Sequence, residues 1–437
     1  MLGNDKGHKT LKLHWQILLA MLLAVVAGTL SGTDSSLFGV PVLAIYTFLG
    51  SLFMNALKML IVPLIFSSII TGVSGMDDGE SMGRLGGRTL LYYLLTSLLA
   101  ILIGLSAVNL LQPGIVDGVP AREVIGLSEI DTSAIAGAVQ GQGIGAVVNI
   151  FVRMIPPNIV DAAAQGQMLG LIFFSLLFGY FMTRINGDQA RVLRNFWSGV
   201  FAVMMKITDW VMSFAPIGVF ALIAKVVATT GIAIFLPLLV FFFTVLGALA
   251  IHLFITLPLL LKLVGRVSPV RHFKAMAPAL LTAFSTASSS ATLPLTIDCV
   301  EKRAGVSNRT TSFVLPLGAT VNMDGTALYE CVAAMFIAQA YGIELGFATQ
   351  FTVVMVALLT SIGVAGIPSA SLVAITIILT AIGLPVEAVG LILAVDRVLD
   401  MCRTSVNVFS DSCGAVLIGR LEGETGILTG DQISRPV

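Results

Sequence analysis

Apolar runs near the ~20 residues that a membrane-crossing helix needs recur at residues 14–31, 43–74, 88–111, 165–185, 193–223, 233–264, 308–339 and 385–419. The pattern predicts an all-α polytopic membrane protein with eight transmembrane helices. Two further apolar stretches, 270–297 and 347–383, are cut by Ser, Gly and Pro and read as re-entrant helical hairpins rather than spans. Between 112 and 164 the chain is least apolar, and Pro113, Pro120, Pro156 and Pro157 predict an external loop with a broken helix.

Composition agrees with that pattern. Of 437 residues, 57% are hydrophobic and 11% charged, with mean hydropathy +0.98. Soluble chains carry ~25% charged residues, so the polar material is too scarce to cover a water-facing surface. Lys plus Arg and Asp plus Glu number 24 each, and the absence of a basic block removes the electrostatic basis for binding nucleic acid. The four cysteines lack zinc-site or disulfide spacing, so small core residues are expected and a metal centre or other cofactor is not.

The placement of charge carries the topology. Lys6, Lys9 and Lys12 precede the first apolar run and resemble the start of a signal peptide, but the later charges favour a retained first helix. With the N-terminus inside, eight spans and both hairpins returning to their own side, 17 basic residues fall in the cytoplasm. Only Arg122 and Lys225 fall outside. The positive-inside rule predicts such a bias, and making either hairpin a full span would invert every later loop. The expected location is the plasma (inner) membrane, multi-pass, with both termini cytoplasmic.

The chemistry lies between 308 and 419, where Asp324, Glu330, Asp396, Asp400, Asp411, Arg397 and Arg403 interrupt apolar sequence. Each would cost roughly 2.5–3.5 kcal/mol at the bilayer centre if unpaired, so these groups must face one another, ions, a ligand or water. Asp396, Asp400, Arg403, Asn407 and Asp411 follow at intervals of 4, 3, 4 and 4, one stripe of the last helix, with Thr404 beside it. Arginine can take a carboxylate in bidentate fashion and an aspartate can take an ammonium, so the stripe suits both ends of a zwitterion. The stretch Leu315–Thr326 contains Pro316, Gly318, Asn322, Asp324 and Gly325 and is not a good continuous helix. Unwound backbone at membrane depth has free carbonyls suited to Na⁺, while a kink filled by side-chain hydrogen bonds is the alternative.

The two hairpins resemble each other. Ala279-Leu280-Leu281-Thr282 precedes the Ser-rich tip of the first, and Ala357-Leu358-Leu359-Thr360 precedes the Gly- and Ser-containing tip of the second. Asn322 lies 43 residues after Ala279, and Asp400 lies 43 after Ala357. Opposite entry sides make them inverted repeats around a midplane site.

These residues resemble the glutamate/aspartate transporter family, the dicarboxylate/amino acid:cation symporters. That group includes animal excitatory amino-acid carriers and archaeal aspartate carriers. The resemblance spans essentially the whole chain. It is strongest in Ser288–Pro294, Asn322–Tyr329, Ala365–Pro368 and Asp400–Asn407. It implies a homotrimer working as an elevator. Scaffold helices would lie in 1–87 and, with the external loop, in 112–223. A mobile transport domain would comprise 88–111 and 224–437, the latter holding helix 6, both hairpins and helices 7 and 8. Arg403 would hold the substrate's side-chain carboxylate and Asp400 its amino group. Ser288, Ser289, Ser290, Thr326, Asp396, Thr404, Asn407 and backbone near Ile367 would complete that site. One sodium site would use Gly318, Asn322, Asn407 and Asp411, and a second Tyr93, Thr96, Ser97 and Asp324. A third would use Thr320 with backbone of Ser361, Ile362 and Val364.

Glu330 resembles the acidic position of carriers that move a proton as well as sodium, where sodium-only relatives tend to have Gln. Relatives usually keep an arginine just before the serine string or just after the second aspartate; here those positions are Ala287 and Met401. Arg397 is a candidate replacement, although its place next to Asp396 does not put it on the same face. Ser369 and Ser371 stand in the second hairpin where relatives often have Gly.

An acidic amino acid is thus the expected substrate, with Na⁺ and also H⁺ as coupling ions and the lipid bilayer as surroundings. A plain C4-dicarboxylate carrier has no need of Asp400, and a neutral amino-acid carrier has no use for Arg403. An intramembrane aspartyl protease would want a Gly-x-Gly-Asp motif, which Asp324 and Asp400 lack, so an enzyme is not expected. A channel is the remaining rival, distinguished by its inability to accumulate substrate against a gradient.

Overall fold

A computed structural model describes residues 13–74, 80–125, 152, 154–165, 168–185, 187–231, 235–363 and 370–429. The described chain is mostly helical. The first helices are α1 (Leu13–Ser31), α2 (Val42–Ser74), α3 (Glu80–Leu111), and the short α4 (Ala121–Ile125) and α5 (Ile159–Ala164). Then come α6 (Met168–Arg184), α7 (Asp188–Ser213), α8 (Ala215–Thr230), α9 (Phe235–Ile251) and α10 (Leu257–Leu263). The last seven are α11 (Pro269–Thr286), α12 (Ser289–Asp298), α13 (Asn308–Val321), α14 (Asp324–Ala340), α15 (Phe347–Gly363), α16 (Ala370–Ala381) and α17 (Leu393–Leu421).

Two antiparallel ladders depart from the all-α expectation: β1 (Ser36–Leu37) with β2 (Val40–Pro41), and β3 (Ile115–Val116) with β4 (Val119–Pro120). Both turn through two residues of positive φ, Phe38-Gly39 and Asp117-Gly118, the conformation of type I′ hairpins. At two residues per strand they were too short to register as alternation.

The eight predicted spans are met in part. The helices over Arg84–Leu111 and Leu236–Leu263 are long and apolar enough to cross a membrane, and α7 with α8, bent by 55°, makes a third if counted as one span. Shorter apolar helices include Leu19–Ser31, Gly170–Arg184 and Phe347–Ser361, and α2 and α17 are continuous over 33 and 29 residues. Run 233–264 passes through a π-turn at His252–Thr256, just before Pro258, which has no N–H for an i→i−4 bond. Run 308–339 stops at Val321 and restarts at Asp324, because Asn322 (φ −97°, ψ 88°) and Met323 (φ −119°, ψ 57°) leave helical geometry. The interruption expected from its Gly, Asn and Asp content is therefore present.

Helices α11 and α12 pack on each other about Ala287, which is left-handed (φ 50°, ψ 39°), and Ser288, whose Oγ accepts from Ala291 N at 3.2 Å and caps α12. Helices α15 and α16 also pack together, and 364–369 between them lie outside the described residues. The shared tetrads sit alike near the ends of α11 and α15. Thr282 Oγ1 donates to Pro278 O at 2.9 Å, and Thr360 Oγ1 lies 2.8 Å from Val356 O.

Among the described residues three large apolar clusters form the interior. One joins α1, α2, α7 and α8 through Tyr46, Phe53, Leu64, Met204, Val219 and Ile223. Another joins α11 to α17 through Ala279, Val408 and Phe409. The largest surrounds α14, which is buried on nearly every side, a helix without an outer face. Beyond α17 the chain returns over the ends of several helices. Glu422 pairs with Arg84 at 2.9 Å and with Arg88 at 2.5 Å, and Glu424 accepts from Ser307 N at 2.8 Å and Thr310 Oγ1 at 2.5 Å.

Candidate substrate and ion site

Helix α17 runs unbroken through the predicted stripe, and Asp396, Asp400, Arg403, Thr404, Asn407 and Asp411 are all buried. Arg403 is the largest fully buried side chain among the described residues. Its Nη1 lies 3.1 Å from Asp396 Oδ1, its Nη2 lies 2.8 Å from Asp400 Oδ1, and its guanidinium stands 4.4 Å from the Tyr329 ring centre. Tyr329 OH donates to Asp396 Oδ1 at 2.9 Å. Desolvating such charges is expensive unless geometry and hydrogen bonds compensate, and here Asp396 and Asp400 are each met by an arginine. Arg397 corrects the reading of its face: it is buried, and its Nη1 reaches Asp400 Oδ2 at 3.3 Å across one turn. A long side chain covers the angle that Cα positions alone leave open.

One turn further along, Asn407 ties α17 to the start of α14. Its Oδ1 accepts from Gly325 N at 2.8 Å, and its Nδ2 donates to Thr326 Oγ1 at 3.0 Å. The approach needs glycine at 325, where a Cβ would come within 2.7 Å of Arg403 O. Asn407 thus satisfies a donor of the helix start left open by the break at Asn322–Met323.

The break also assembles oxygen atoms. Asp411 Oδ1 accepts from Asn322 Nδ2 at 2.9 Å, and its carboxylate lies against Gly318. Asp324 is fully buried. Its Oδ1 accepts from Ser97 Oγ at 2.7 Å and its Oδ2 from Ser410 Oγ at 2.6 Å, with His252 Nε2 at 3.0 Å from Oδ2. Thr96 Oγ1 lies 3.4 Å from Asn322 Oδ1, and Tyr93 OH donates to Val314 O at 2.7 Å. Hydroxyls, carbonyls and carboxylates are the donor set that a hard cation takes.

The remaining residues are less gathered. Ser288 and Ser289 are buried at the bend of the first hairpin and Ser290 is exposed. Thr320 Oγ1 donates to Leu317 O at 3.0 Å, and Ser361 Oγ to Leu358 O at 2.9 Å. Ile367 and Val364 lie outside the described residues, as does the Ile362 side chain. Glu330 is fully buried on α14, and its Oε2 accepts from Thr360 Oγ1 of α15 at 2.8 Å.

Four residues join the site without having been expected there: Tyr329, His252, Ser410 and Thr360. Tyr329 and Thr360 lie inside stretches singled out for other residues, and that is their one signal, because their partners Asp396 and Glu330 are on other helices, 67 and 30 residues away. His252 and Ser410 had no such signal, because each meets Asp324 only through the tertiary packing of α14 against its neighbours.

Known proteins resemble the chain along most of its length. A profile of the sodium:dicarboxylate symporter family matches residues 13–421. The proton/sodium-glutamate symport protein of Bacillus caldotenax is 35% identical over 414 residues, 94% of this chain and 95% of that protein. Excitatory amino acid transporter 3 of Mus musculus is 36% identical over 464 residues, 94% of this chain and 86% of that one. The proton/glutamate-aspartate symporter of Escherichia coli (strain K12) is 34% identical over 410 residues, 94% and 93% of the two chains. The chain belongs to the sodium:dicarboxylate symporter family. A member of this family is a multi-pass membrane transporter and not an enzyme. Membership explains the large apolar side chains that stand exposed on α1, α2, α3 and α9, among them Leu22, Phe48, Leu91 and Phe243.

Proposed function

We propose that the protein is a secondary active symporter that takes up L-aspartate or L-glutamate with Na⁺ and a proton, by alternating access. The observation that carries this reading is Arg403, buried between Asp396 and Asp400 in mid-helix. A guanidinium so placed holds a carboxylate, and Asp400 beside it holds an ammonium, which together select an acidic amino acid over a neutral one or a plain dicarboxylate. Thr326 and Asn407, already hydrogen-bonded to each other, supply further donors and acceptors, with Thr404, Ser288, Ser289, Ser290 and backbone near Ile367 completing the pocket. The names of the relatives, which refer to glutamate, aspartate, sodium and protons, support the same assignment.

Sodium travels as cargo. Asp411 with Asn322, Asn407 and Gly318 forms one site, and Asp324 with Tyr93, Thr96 and Ser97 a second. Thr320 with backbone of Ser361, Ile362 and Val364 forms a third. Glu330 carries the proton, its carboxyl being buried against Thr360 of the second hairpin. Eight helices cross the plasma membrane with both termini in the cytoplasm, and both hairpins are re-entrant. Three copies assemble through a scaffold (1–87 and 112–223) past which 88–111 and 224–437 move as an elevator. The apolar cluster that joins α1, α2, α7 and α8 supports that division, with Leu222 and Ala394 packed both against it and against the largest cluster.

Competition tests the substrate. Uptake of labelled L-aspartate into proteoliposomes under an inward Na⁺ gradient should be displaced by aspartate and glutamate and poorly by succinate, alanine or serine. Equal displacement by succinate, or preference for alanine or serine, overturns the assignment.

A further inference from the structure

Arg397 has no part in the roles assigned above, yet its side chain is 6% exposed and in contact with the proposed ammonium site. Asp400 carries a guanidinium on each carboxylate oxygen, Arg403 at 2.8 Å and Arg397 at 3.3 Å. The shorter contact belongs to the arginine that also holds Asp396, so the longer one is the easier to give up. The Nε of Arg397 finds no acceptor among the described residues. A buried guanidinium with one long ion pair and an unused donor is a group waiting for another anion, because buried polar hydrogens normally find partners.

Charge counting gives that group a task. Asp396, Arg397, Asp400 and Arg403 sum to zero. An amino acid with two carboxylates and one ammonium brings one net negative charge; an amide or hydroxyl amino acid of the same size brings none. Without Arg397 the four-residue cluster would be negative before the substrate arrives. It would then repel the acid while leaving the neutral zwitterion indifferent.

We infer that Arg397 is a specificity-determining residue, the exchangeable counter-ion of Asp400. It yields that carboxylate to the substrate's ammonium and then adds its own charge to that of Arg403 in holding a ligand with two carboxylates. The inference rests on the acidic amino-acid reading above and deepens it by assigning the acid-over-amide preference to two arginines instead of one.

The test uses the full-length carrier in proteoliposomes and two ligands of nearly one shape, L-aspartate and L-asparagine. Half-displacing concentrations of each against labelled aspartate are compared for wild type, Arg397→Met, Arg397→Gln and Arg397→Lys. Arg397→Gln keeps a donor but no charge, and it replaces Arg397→Met should that variant not fold. The preference for aspartate should narrow about tenfold or more in both neutral variants, the effect of one charge at close range in a protein interior. It should stay within about threefold of wild type in Arg397→Lys. The inference is overturned if the neutral variants keep the wild-type ratio, or if Arg397→Lys loses as much as Arg397→Met. A wild-type carrier that does not prefer aspartate to asparagine overturns the acidic-substrate reading itself, and that result is visible before any variant is made.

Discussion

Gly318→Ala adds one methyl group and should act on sodium. A Cβ at Gly318 would stand 2.5 Å from Asp411 Oδ1 and 2.7 Å from Tyr93 OH, both closer than packed side chains tolerate. Neither neighbour is free to retreat. Asp411 is held by Asn322 at 2.9 Å, and the Tyr93 hydroxyl is held by Val314 O at 2.7 Å. Overpacking of this kind typically costs about 1–3 kcal/mol. If the displaced group is an ion ligand, the penalty falls on the ion-bound state, and at about 1.4 kcal/mol per tenfold the sodium affinity should drop roughly 5- to 150-fold. The assay is the Na⁺ concentration that gives half-maximal aspartate uptake in proteoliposomes. Gly247→Ala, on an exposed face of α9 where an added Cβ meets nothing within 4 Å, is the control and should leave it unchanged. A folded Gly318→Ala carrier with the wild-type Na⁺ dependence would refute the placement of Asp411 and Gly318 around an ion.

Other outcomes follow from neighbouring contacts. Glu330→Gln should abolish the pH dependence of uptake while preserving Na⁺ dependence; a pH profile unchanged from wild type excludes Glu330 as the proton carrier. Ser410→Ala removes a donor to the buried Asp324 and should weaken Na⁺ activation by about 1–3 kcal/mol, roughly 5- to 150-fold. Equal half-saturating Na⁺ in variant and wild type would show that this carboxylate is not an ion ligand. At the chain's end, Arg84 and then Arg88 hold the Glu422 carboxyl below its ordinary range. Burial pushes Glu424 up, but hydrogen bonds from Ser307 and Thr310 and the charge of Arg309 outweigh it and leave its carboxyl lowered too. A lowered carboxyl stabilises the fold above the usual glutamate range, and that contribution is lost as pH falls through the folded value. Amide protection in 420–429, taken relative to the intrinsic exchange rate at each pH, should therefore fall below about pH 4.5 in the wild type, and Glu424→Gln should flatten that fall. Protection that stays constant across this range in the wild type would contradict it.

Much of the site could be read in the sequence because its residues share one helix. Asp396, Asp400, Arg403, Asn407 and Asp411 recur at helical spacing, and spacing is enough to place them on one buried stripe of α17. The break between Val321 and Asp324 was legible for a local reason as well, since Gly, Asn and Asp there oppose a continuous helix. What local pattern cannot carry is the meeting of distant segments. His252 reaches Asp324 across 72 residues and Thr360 reaches Glu330 across 30, and nothing near either position announces its partner. The same limit explains the misplaced Arg397, whose Cα lies off the stripe while its side chain reaches Asp400. Hydropathy also marks apolar runs without marking their breaks: Asn322–Met323 divides a run that reads as whole, while the helix over Leu236–Leu263 keeps its length through the π-turn after Ile251.

Ion-driven accumulation of an acidic amino acid through a site built on Arg403 and Asp400 is tested most directly by radiolabelled L-aspartate and L-glutamate uptake into proteoliposomes under imposed Na⁺, H⁺ and K⁺ gradients, one at a time. Saturable accumulation above the external concentration should require the inward Na⁺ gradient and grow with an inward H⁺ gradient. In Asp400→Asn it should disappear. Equilibration without accumulation, or accumulation indifferent to Na⁺, would contradict Na⁺-driven symport.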